Sequence, residues 1–340
     1  DMSNNTLTAT TTALSFIPTK RVVFEEATGT WCGWCPRGAV ALETLEQDFP
    51  NTAIGIAVHN GDAMTVATYD AGMNVGGYPS GHVDRAILDI DPGDFTSYLA
   101  SRADEIAPAD ISATANFDPT SRVIDINITA DFVASISGDY RFNAVVLENQ
   151  VGPYNQANYY GVGQQGNGTP MVSPISGFNW NTASSNASVM FDHVARAILG
   201  GFDGTANSLP NVISAGSTHN KAYSHTLPAN QNENNVHVVG MIIDNNTGEI
   251  LNAIKVGLSA PTANNPEIEE NIKIYPNPIK NVLVIEGEYS SIDIYDSLGK
   301  LVLSSKNRTV INVAKLNNGI YILKMKTKKG NQSKKITINK

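Results

Sequence analysis

Residues 21–49 read RVVFEEATGTWCGWCPRGAVALETLEQDF, and this stretch decides the fold. Its first seven residues form an apolar run typical of a buried strand, and Cys35–Phe49 has apolar residues at helical spacing after a proline suited to a first turn. A helix start stabilises a thiolate through its unpaired N–H groups and its dipole. We therefore predict that Cys32 lies exposed at the tip and attacks a partner disulfide, while shielded Cys35 resolves the mixed disulfide. The alternative is an inert structural disulfide or two buried thiols.

The alternation of strand and helix patterns continues beyond this stretch. The pattern predicts a strand over Thr52–His59, a helix over Asp62–Tyr69, a strand over His82–Leu88 and a closing helix over Asp91–Ala103. Alternating elements of this kind favour an α/β layer with a partly parallel sheet. We therefore place a first domain at residues 20–105, after an N-terminal extension of residues 1–19.

The motif at residues 31–35, WCGWC, following the strand at residues 21–27, resembles the thioredoxin superfamily. The resemblance implies an α/β thioredoxin-like fold in which Glu26 is a buried acid that relays a proton to Cys35 through water. The alternative for Glu26 is a solvent-facing position at the strand edge. The middle pair Gly33-Trp34 departs from the Gly-Pro of the best-known thioredoxins, so reductase, oxidase and isomerase directions all stay open.

The same resemblance implies where a substrate binds. Tyr78-Pro79 is the candidate for the family's cis-proline, with Tyr78 offering its backbone to an extended chain; the alternative is an ordinary trans turn. Trp31 and Trp34 would form an apolar platform for a polypeptide beside the sulfur atoms. His82, close to this proline, could tune the thiols or bind a ligand, or could serve packing alone.

The pattern changes to strands alone after residue 105. Residues 108–258 hold alternating segments that predict an all-β sandwich, namely Ile111–Phe117, Val123–Ala130, Arg141–Leu147, Val236–Ile243 and Ile250–Val256. A long run rich in Asn, Gly, Ser and Gln separates the third and fourth of these. Because so long a structureless loop is unusual, short strands or a small helix at Phe191–Leu199 should interrupt it.

A linker at residues 259–270 leads into a small β-sandwich at residues 271–340. The ordered set YPNP, VLVI, IDIYDSLGK and LNNGIYIL in this last part closely resembles the type A C-terminal sorting domain of the type IX secretion system. The resemblance implies a Bacteroidetes-type protein whose signal peptide has been removed and whose tail contacts the translocon and its shuttle components. The expected location is secreted or on the outer-membrane surface; the alternative for the tail is an Ig-like accessory domain.

The three parts together resemble the Omp28-related outer-membrane protein family. Residues 191–197, FDHVARA, are similar to a segment of that family, and we expect His193 to make a structural hydrogen bond within the sandwich. The sequence leaves two functional hypotheses open. One is a thiol–disulfide oxidoreductase acting on polypeptides; the other is a surface binding or adhesion protein whose β-sandwich holds the ligand.

Charge and composition exclude other classes of function. The tail from Asn271 has 13 basic and four acidic residues, a net charge of +9, whereas the rest of the chain carries −18. An acidic body disfavours nucleic-acid binding, and no apolar run reaches the ~18 residues of a membrane helix. Two cysteines are too few for a structural zinc site by themselves, so we expect no metal or cofactor beyond the disulfide. Bound Ca²⁺ in the Asn- and Asp-rich loops would be the exception, although no ligand spacing supports it.

Overall fold

The computed structural model describes residues 16–259, 273–287, 289–296, 300–306, 308–327 and 330–340. The chain divides into two compact units, Asp1–Thr262 and Ala263–Lys340. Most of the predicted extension at residues 1–19 and of the predicted linker at residues 259–270 lies outside the described residues. Within the described ranges, no helix has both the length and the apolar character needed to cross a membrane.

Strands dominate the first unit. Its strands are β1 (Val22–Thr28), β2 (Ala53–His59), β3 (Ser80–Val83), β4 (Ile87–Ile90), β5 (Ala109–Asp118), β6 (Val123–Phe132), β7 (Ile136–Ser137), β8 (Tyr140–Glu148), β9 (Val151–Ala157), β10 (Asn186–Phe191), β11 (Val194–Ile198), β12 (Val212–Ile213), β13 (Thr218–Thr226), β14 (Val236–Asp244) and β15 (Ile250–Gly257). Its helices are α1 (Pro36–Asp48), α2 (Ala67–Met73) and α3 (Phe95–Ala103), with short 3-10 helices at Pro92–Asp94 and Glu233–Asn235. The chain is therefore β-rich with few helices.

One eight-stranded sheet runs through the first unit in the order β15-β14-β8-β11-β2-β1-β3-β4. The neighbours β1–β2 and β2–β11 are parallel, and the other pairs are antiparallel. Strands β1 and β2 are buried along their whole length, as expected of central strands covered on both faces. Helix α1 follows β1 directly, so residues 29–35 form the connection at the end of a central strand.

Two predicted elements differ from those observed near this sheet. The strand predicted over His82–Leu88 is split into β3 and β4, because Asp84 and Arg85 adopt left-handed backbone conformations with φ of 48° and 52°. The helix predicted over Asp62–Tyr69 begins later, at Ala67, after a turn in which the Asp62 carboxylate accepts a hydrogen bond from Met64 N. Both differences arise from local turns, which the spacing of apolar residues does not predict.

The segment Phe191–Leu199, for which a small helix was one prediction, instead contains strand β11. Val194 and Ala195 are buried and pair with β2 and β8, so tertiary pairing decides the conformation of this short apolar run. As a result, β8, β11, β14 and β15 extend the sheet of β1 and β2 across the predicted boundary at residues 105–108. A second sheet, β13-β6-β5, covers this extension through a shared apolar core.

The second unit is a separate all-β body. Its strands are β16 (Lys273–Tyr275), β17 (Val282–Glu286), β18 (Ser291–Tyr295), β19 (Leu301–Lys306), β20 (Val310–Asn312), β21 (Gly319–Thr327) and β22 (Gly330–Ile338). They form two sheets, β16-β17-β20 and β19-β18-β21-β22, around an apolar core that includes Leu283, Ile294 and Leu323. This arrangement agrees with the small sandwich predicted for residues 271–340.

Candidate functional site

The two cysteines form a disulfide at the amino end of α1. Cys35 is the N-cap of the helix, Pro36 is its first residue, and Cys35 N donates to Cys32 O at 3.2 Å. Cys35 is 1% exposed, as predicted for the inner cysteine. Cys32 is only 5% exposed, so the prediction that this cysteine is exposed at the tip of the motif is wrong. The reason is a segment of the same chain that covers the motif.

We call residues 156–160, at the end of β9 and just beyond it, the covering segment. Its backbone is bonded to the motif, because Ala157 N donates to Thr30 O at 2.8 Å and Tyr159 N donates to Gly33 O at 2.9 Å. The Gln156 side-chain amide adds a bond of 2.8 Å to Cys32 O. Carbonyl groups on both sides of Cys32 are therefore satisfied by the chain itself.

Aromatic contacts reinforce this cover. The Tyr159 ring lies so close to Gly33 that a Cβ at that position would come within 2.6 Å of it, so any larger residue would displace the ring. Trp34 contacts the rings of Tyr159 and Tyr160 edge to face, with centroids 5.4 and 5.5 Å apart. Trp34 is thus packed within its own chain, together with Trp180 and its neighbours. The predicted docking platform does not form at Trp34, because these aromatic side chains occupy its faces.

Trp31, Tyr78 and Pro79 meet on the uncovered side of the motif. Trp31 is 51% exposed, its Nε1 donates to Asn60 O at 2.8 Å, and its ring lies 5.2 Å from the half-buried Tyr78 ring. The Tyr78–Pro79 peptide bond is cis, and β3, which starts at the next residue, pairs with β1. The structure therefore brings Tyr78, which precedes Pro79, into contact with Trp31, the residue next to Cys32.

Glu26 lies buried beneath the first turn of α1. It is 1% exposed, which excludes the alternative of a solvent-facing strand-edge residue. Its Oε1 has no hydrogen-bond partner among the described residues and touches Gly38, where a Cβ would lie only 1.9 Å away. Gly38 N donates to Cys35 O at 2.9 Å, so this carboxyl group sits one helical turn from Cys35. Burial raises the pKa of Glu26 to about 8, against a smaller opposing effect of the Thr28 side chain.

The neighbouring Glu25 faces the other side of the sheet, as strand alternation predicts. It is buried in an ion pair with Arg85 at 2.6 Å and accepts a hydrogen bond of 2.6 Å from Tyr69 Oη. Burial alone would raise the pKa of Glu25, but the Arg85 guanidinium and these hydrogen bonds lower it below its usual value. Two adjacent glutamates on one strand thus take opposite ionisation states, and only Glu26 lies on the side of the dithiol.

Two histidines singled out from the sequence, His82 and His193, are both buried. His82 is buried, with Nε2 2.6 Å from Met73 O and Nδ1 accepting from Asp89 N at 3.1 Å. His193 is also buried, and its Nε2 lies 3.3 Å from Glu46 Oε2. Burial lowers the pKa of His193, although Glu46 opposes this. Among the residues that the structure describes, no three His, Cys, Asp or Glu side chains converge as metal ligands.

Sequence reasoning missed the covering segment. Gln156, Tyr159 and Tyr160 lie more than 120 residues after the motif, in a polar run without apolar periodicity. The one available signal was the adjacent pair Tyr159-Tyr160, because large aromatic side chains in a Gly- and Asn-rich segment need a packing partner.

The model of the outer membrane protein Omp28 family matches residues 66–263, more than half of the chain. The chain belongs to the Omp28 family. The match begins after the CGWC motif, so it includes the covering segment but not the cysteines. The secretion system C-terminal sorting domain matches residues 273–339 of this Omp28-family protein, which identifies a type IX sorting domain. The protein is therefore secreted or on the cell surface, and its C-terminal domain engages the secretion system.

Solved structures include a fold-level likeness to this Omp28-family protein. HBP35 of Porphyromonas gingivalis matches with 21% identity and a TM-score of 0.55, covering 95% of this chain and 99% of its own. A domain of the outer membrane lipoprotein Omp28 from the same organism has 13% identity and a TM-score of 0.26, covering 46% of this chain and 92% of its own. The first likeness concerns fold alone, and the second is too weak to carry an argument. No curated protein matches the chain.

Proposed function

We propose that the protein is an extracytoplasmic thiol–disulfide oxidoreductase that acts on polypeptides, with Val22–Ala103 as its thioredoxin-like unit. The observation that carries the proposal is the position of Glu26, a buried acid with a raised pKa, one helical turn from the inner cysteine of a CxxC pair. An inert crosslink has no need of a buried carboxyl group with an unpaired oxygen at this point, since such a group opposes folding.

The topology around the cysteines supports a thioredoxin-like unit. Strands β2, β1, β3 and β4 are neighbours in that order, with β1 and β2 parallel and β3 and β4 antiparallel to their neighbours. Helix α1 connects β1 to β2, and α3 closes the segment. The resemblance noted from the sequence implies this arrangement of strands and helices around a CxxC motif.

The chemistry proceeds by two exchanges. A substrate thiolate attacks Cys32 Sγ, so a substrate–Cys32 bond forms, the Cys32–Cys35 bond breaks, and Cys35 leaves as a thiolate. Protonated Glu26 gives its proton to the Cys35 thiolate, directly or through water. A second substrate thiolate then attacks the substrate sulfur of the mixed disulfide and releases Cys32. The substrate dithiol is oxidised to a disulfide and the protein disulfide is reduced; the reverse sequence reduces a substrate disulfide.

Access to Cys32 requires the covering segment to move. Trp31 and Tyr78 offer the open approach, whereas the Tyr159 ring blocks the side of Gly33. We expect exchange to occur from an opened state whose population limits the rate. The substrate polypeptide would then lie along Trp31, Tyr78 and Pro79.

The proposal is tested by insulin reduction with the full chain, wild type against Cys32→Ser. We expect turnover to disappear in Cys32→Ser. Equal rates would refute the enzymatic function and leave a structural disulfide in a surface binding protein.

Tyr159→Ala tests whether the covering segment limits access to the disulfide, with Val162→Ala at an exposed position as the matched control. Loss of a ring contact worth about 1 kcal/mol should speed reduction of the disulfide by dithiothreitol about fivefold. An unchanged rate would show that Tyr159 does not limit access.

A further inference from the structure

A cavity of about 380 Å³ lies in the first unit, with Pro36 and Ala39 of α1 in its wall. Helix α1 contributes Leu42 to its wall, β10 contributes Phe191, and the segment before β10 contributes Phe178 and Trp180. An apolar cavity of about 150 Å³ is enough to hold benzene, so this one has room for a larger ring-bearing molecule. Exposed residues such as Met190 line it as well, so the cavity can be reached from solvent.

Three buried polar atoms of the lining residues lack a hydrogen-bond partner in the described part of the chain. They are Glu26 Oε1, Trp180 Nε1 and His193 Nε2, in residues that are 1%, 4% and 3% exposed, and the last of these atoms lies 3.3 Å from Glu46 Oε2. Buried donors and acceptors are nearly always hydrogen-bonded, so an unpaired acid and an unpaired N–H beside one cavity call for an occupant. An occupant would interact with the carboxyl group, and either it or a water molecule would accept the indole N–H.

The charged residues around the cavity determine whether a cationic or an anionic ligand is favoured. Glu26, Glu43 and Asp192 line it, and no Lys or Arg does so among the described residues. The two lining histidines do not reverse this field, because His59 Nδ1 lies 2.8 Å from Asp62 and His193 Nε2 lies 3.3 Å from Glu46. Even with Glu26 protonated, Glu43 and Asp192 leave the lining acidic, so an anionic ligand is disfavoured and a cation is favoured.

We propose that this cavity binds a small amine with an aromatic ring, its ammonium group at Glu26 and its ring against Leu42 and Phe191. The site goes beyond the proposed redox function, although Glu26 belongs to both. Trp180 Nε1–H remains available to a hydroxyl, carbonyl or water beside the bound amine.

Binding of an ammonium group should release a proton. With a pKa of about 8, Glu26 is mostly protonated near neutral pH, and it must ionise to pair with the cation. The other titratable groups lining the cavity are Glu43, His59, Asp192 and His193. Burial also raises the pKa of Glu43, but two backbone N–H groups, those of Ile175 and Ser176, already satisfy its carboxylate oxygen. We therefore expect the released proton to come from Glu26.

Isothermal titration of the full chain with three matched probes tests the site. The probes are phenethylamine, 2-phenylethanol and 3-phenylpropanoate, which share a ring and differ in charge. We expect the amine to bind about tenfold more tightly than the alcohol, and the acid not to bind. The amine's heat should also differ between phosphate and Tris buffers, because the released proton passes to the buffer. Equal binding of all three probes, or no binding of the amine, would overturn the proposal and leave a water-filled cavity.

Two variants locate the binding. Glu26→Gln should remove the preference for the amine and the buffer dependence together. Ala39→Met places a larger side chain in the cavity while leaving the Glu26 carboxyl group present, and it should weaken amine binding, while Gln47→Met at an exposed position of α1 is the control. Amine binding that survives Ala39→Met unchanged would refute the location. Cys32→Ser should retain binding, so failure of the redox function and failure of this site are distinguishable.

Discussion

Replacing Glu26 with Gln should change how the stability of the first unit depends on pH. In the unfolded chain this carboxyl ionises at its ordinary pKa of 4.5, whereas in the folded protein it stays protonated up to about 8. Between these values the folded state binds the extra proton, so the wild type loses stability as pH rises, by about 1.4 kcal/mol per pH unit. The full difference corresponds to about 5 kcal/mol, an order-of-magnitude figure. The Glu26→Gln variant has no such carboxyl group, so its stability should not fall with pH for this reason.

Urea unfolding followed by tryptophan fluorescence measures the effect in the full chain. All three tryptophans, at positions 31, 34 and 180, lie in the first unit, so the signal reports on that unit alone. The stability of Glu26→Gln relative to wild type should rise steadily from about pH 5 to about pH 8 and then level off. Asp48→Asn, which removes an exposed carboxyl at the end of α1, should not show this trend. A constant difference between Glu26→Gln and wild type across this range would refute the raised pKa.

Two further substitutions test the packing around the two glutamates. Replacing a glycine inside a helix with alanine ordinarily stabilises the helix. Gly38→Ala should instead destabilise the protein by about 1–3 kcal/mol, because the new Cβ would collide with the Glu26 side chain. In a protein that already carries Glu26→Ala, the same substitution should be neutral or stabilising. A penalty that persists in that background, measured by urea unfolding, would contradict the contact. Arg85→Met should cost about 3–5 kcal/mol by leaving Glu25 charged and buried, and adding Glu25→Leu should restore much of the loss in thermal unfolding. No recovery in the double variant would mean that the ion pair is not the source of the penalty.

The elements around the cysteines were predictable from sequence because their signals are local. The apolar runs of β1 and β2 and the helical spacing of α1 agree with the structure within one or two residues. The burial of Glu26 followed only from the resemblance to thioredoxins, since residue spacing left both orientations open.

The remaining features depend on contacts between distant residues. Strand β11 is set by its place between β2 and β8, more than 45 residues away in sequence. The cover over Cys32 depends on backbone bonds from Ala157 and Tyr159 to the motif, which no local pattern encodes. The exposure of Cys32 was mispredicted for that reason, whereas the burial of Cys35 was predicted correctly.

The reduction potential of the Cys32–Cys35 pair distinguishes a catalytic dithiol from a structural crosslink. Equilibration of the full-length protein in defined dithiothreitol or glutathione buffers, with the two thiols counted by mass spectrometry, gives this value. A catalytic pair at a helix start should have a potential above about −300 mV, whereas structural disulfides typically lie below that value. A potential well below about −300 mV would show that the bond is a structural crosslink and would contradict the proposed catalytic role.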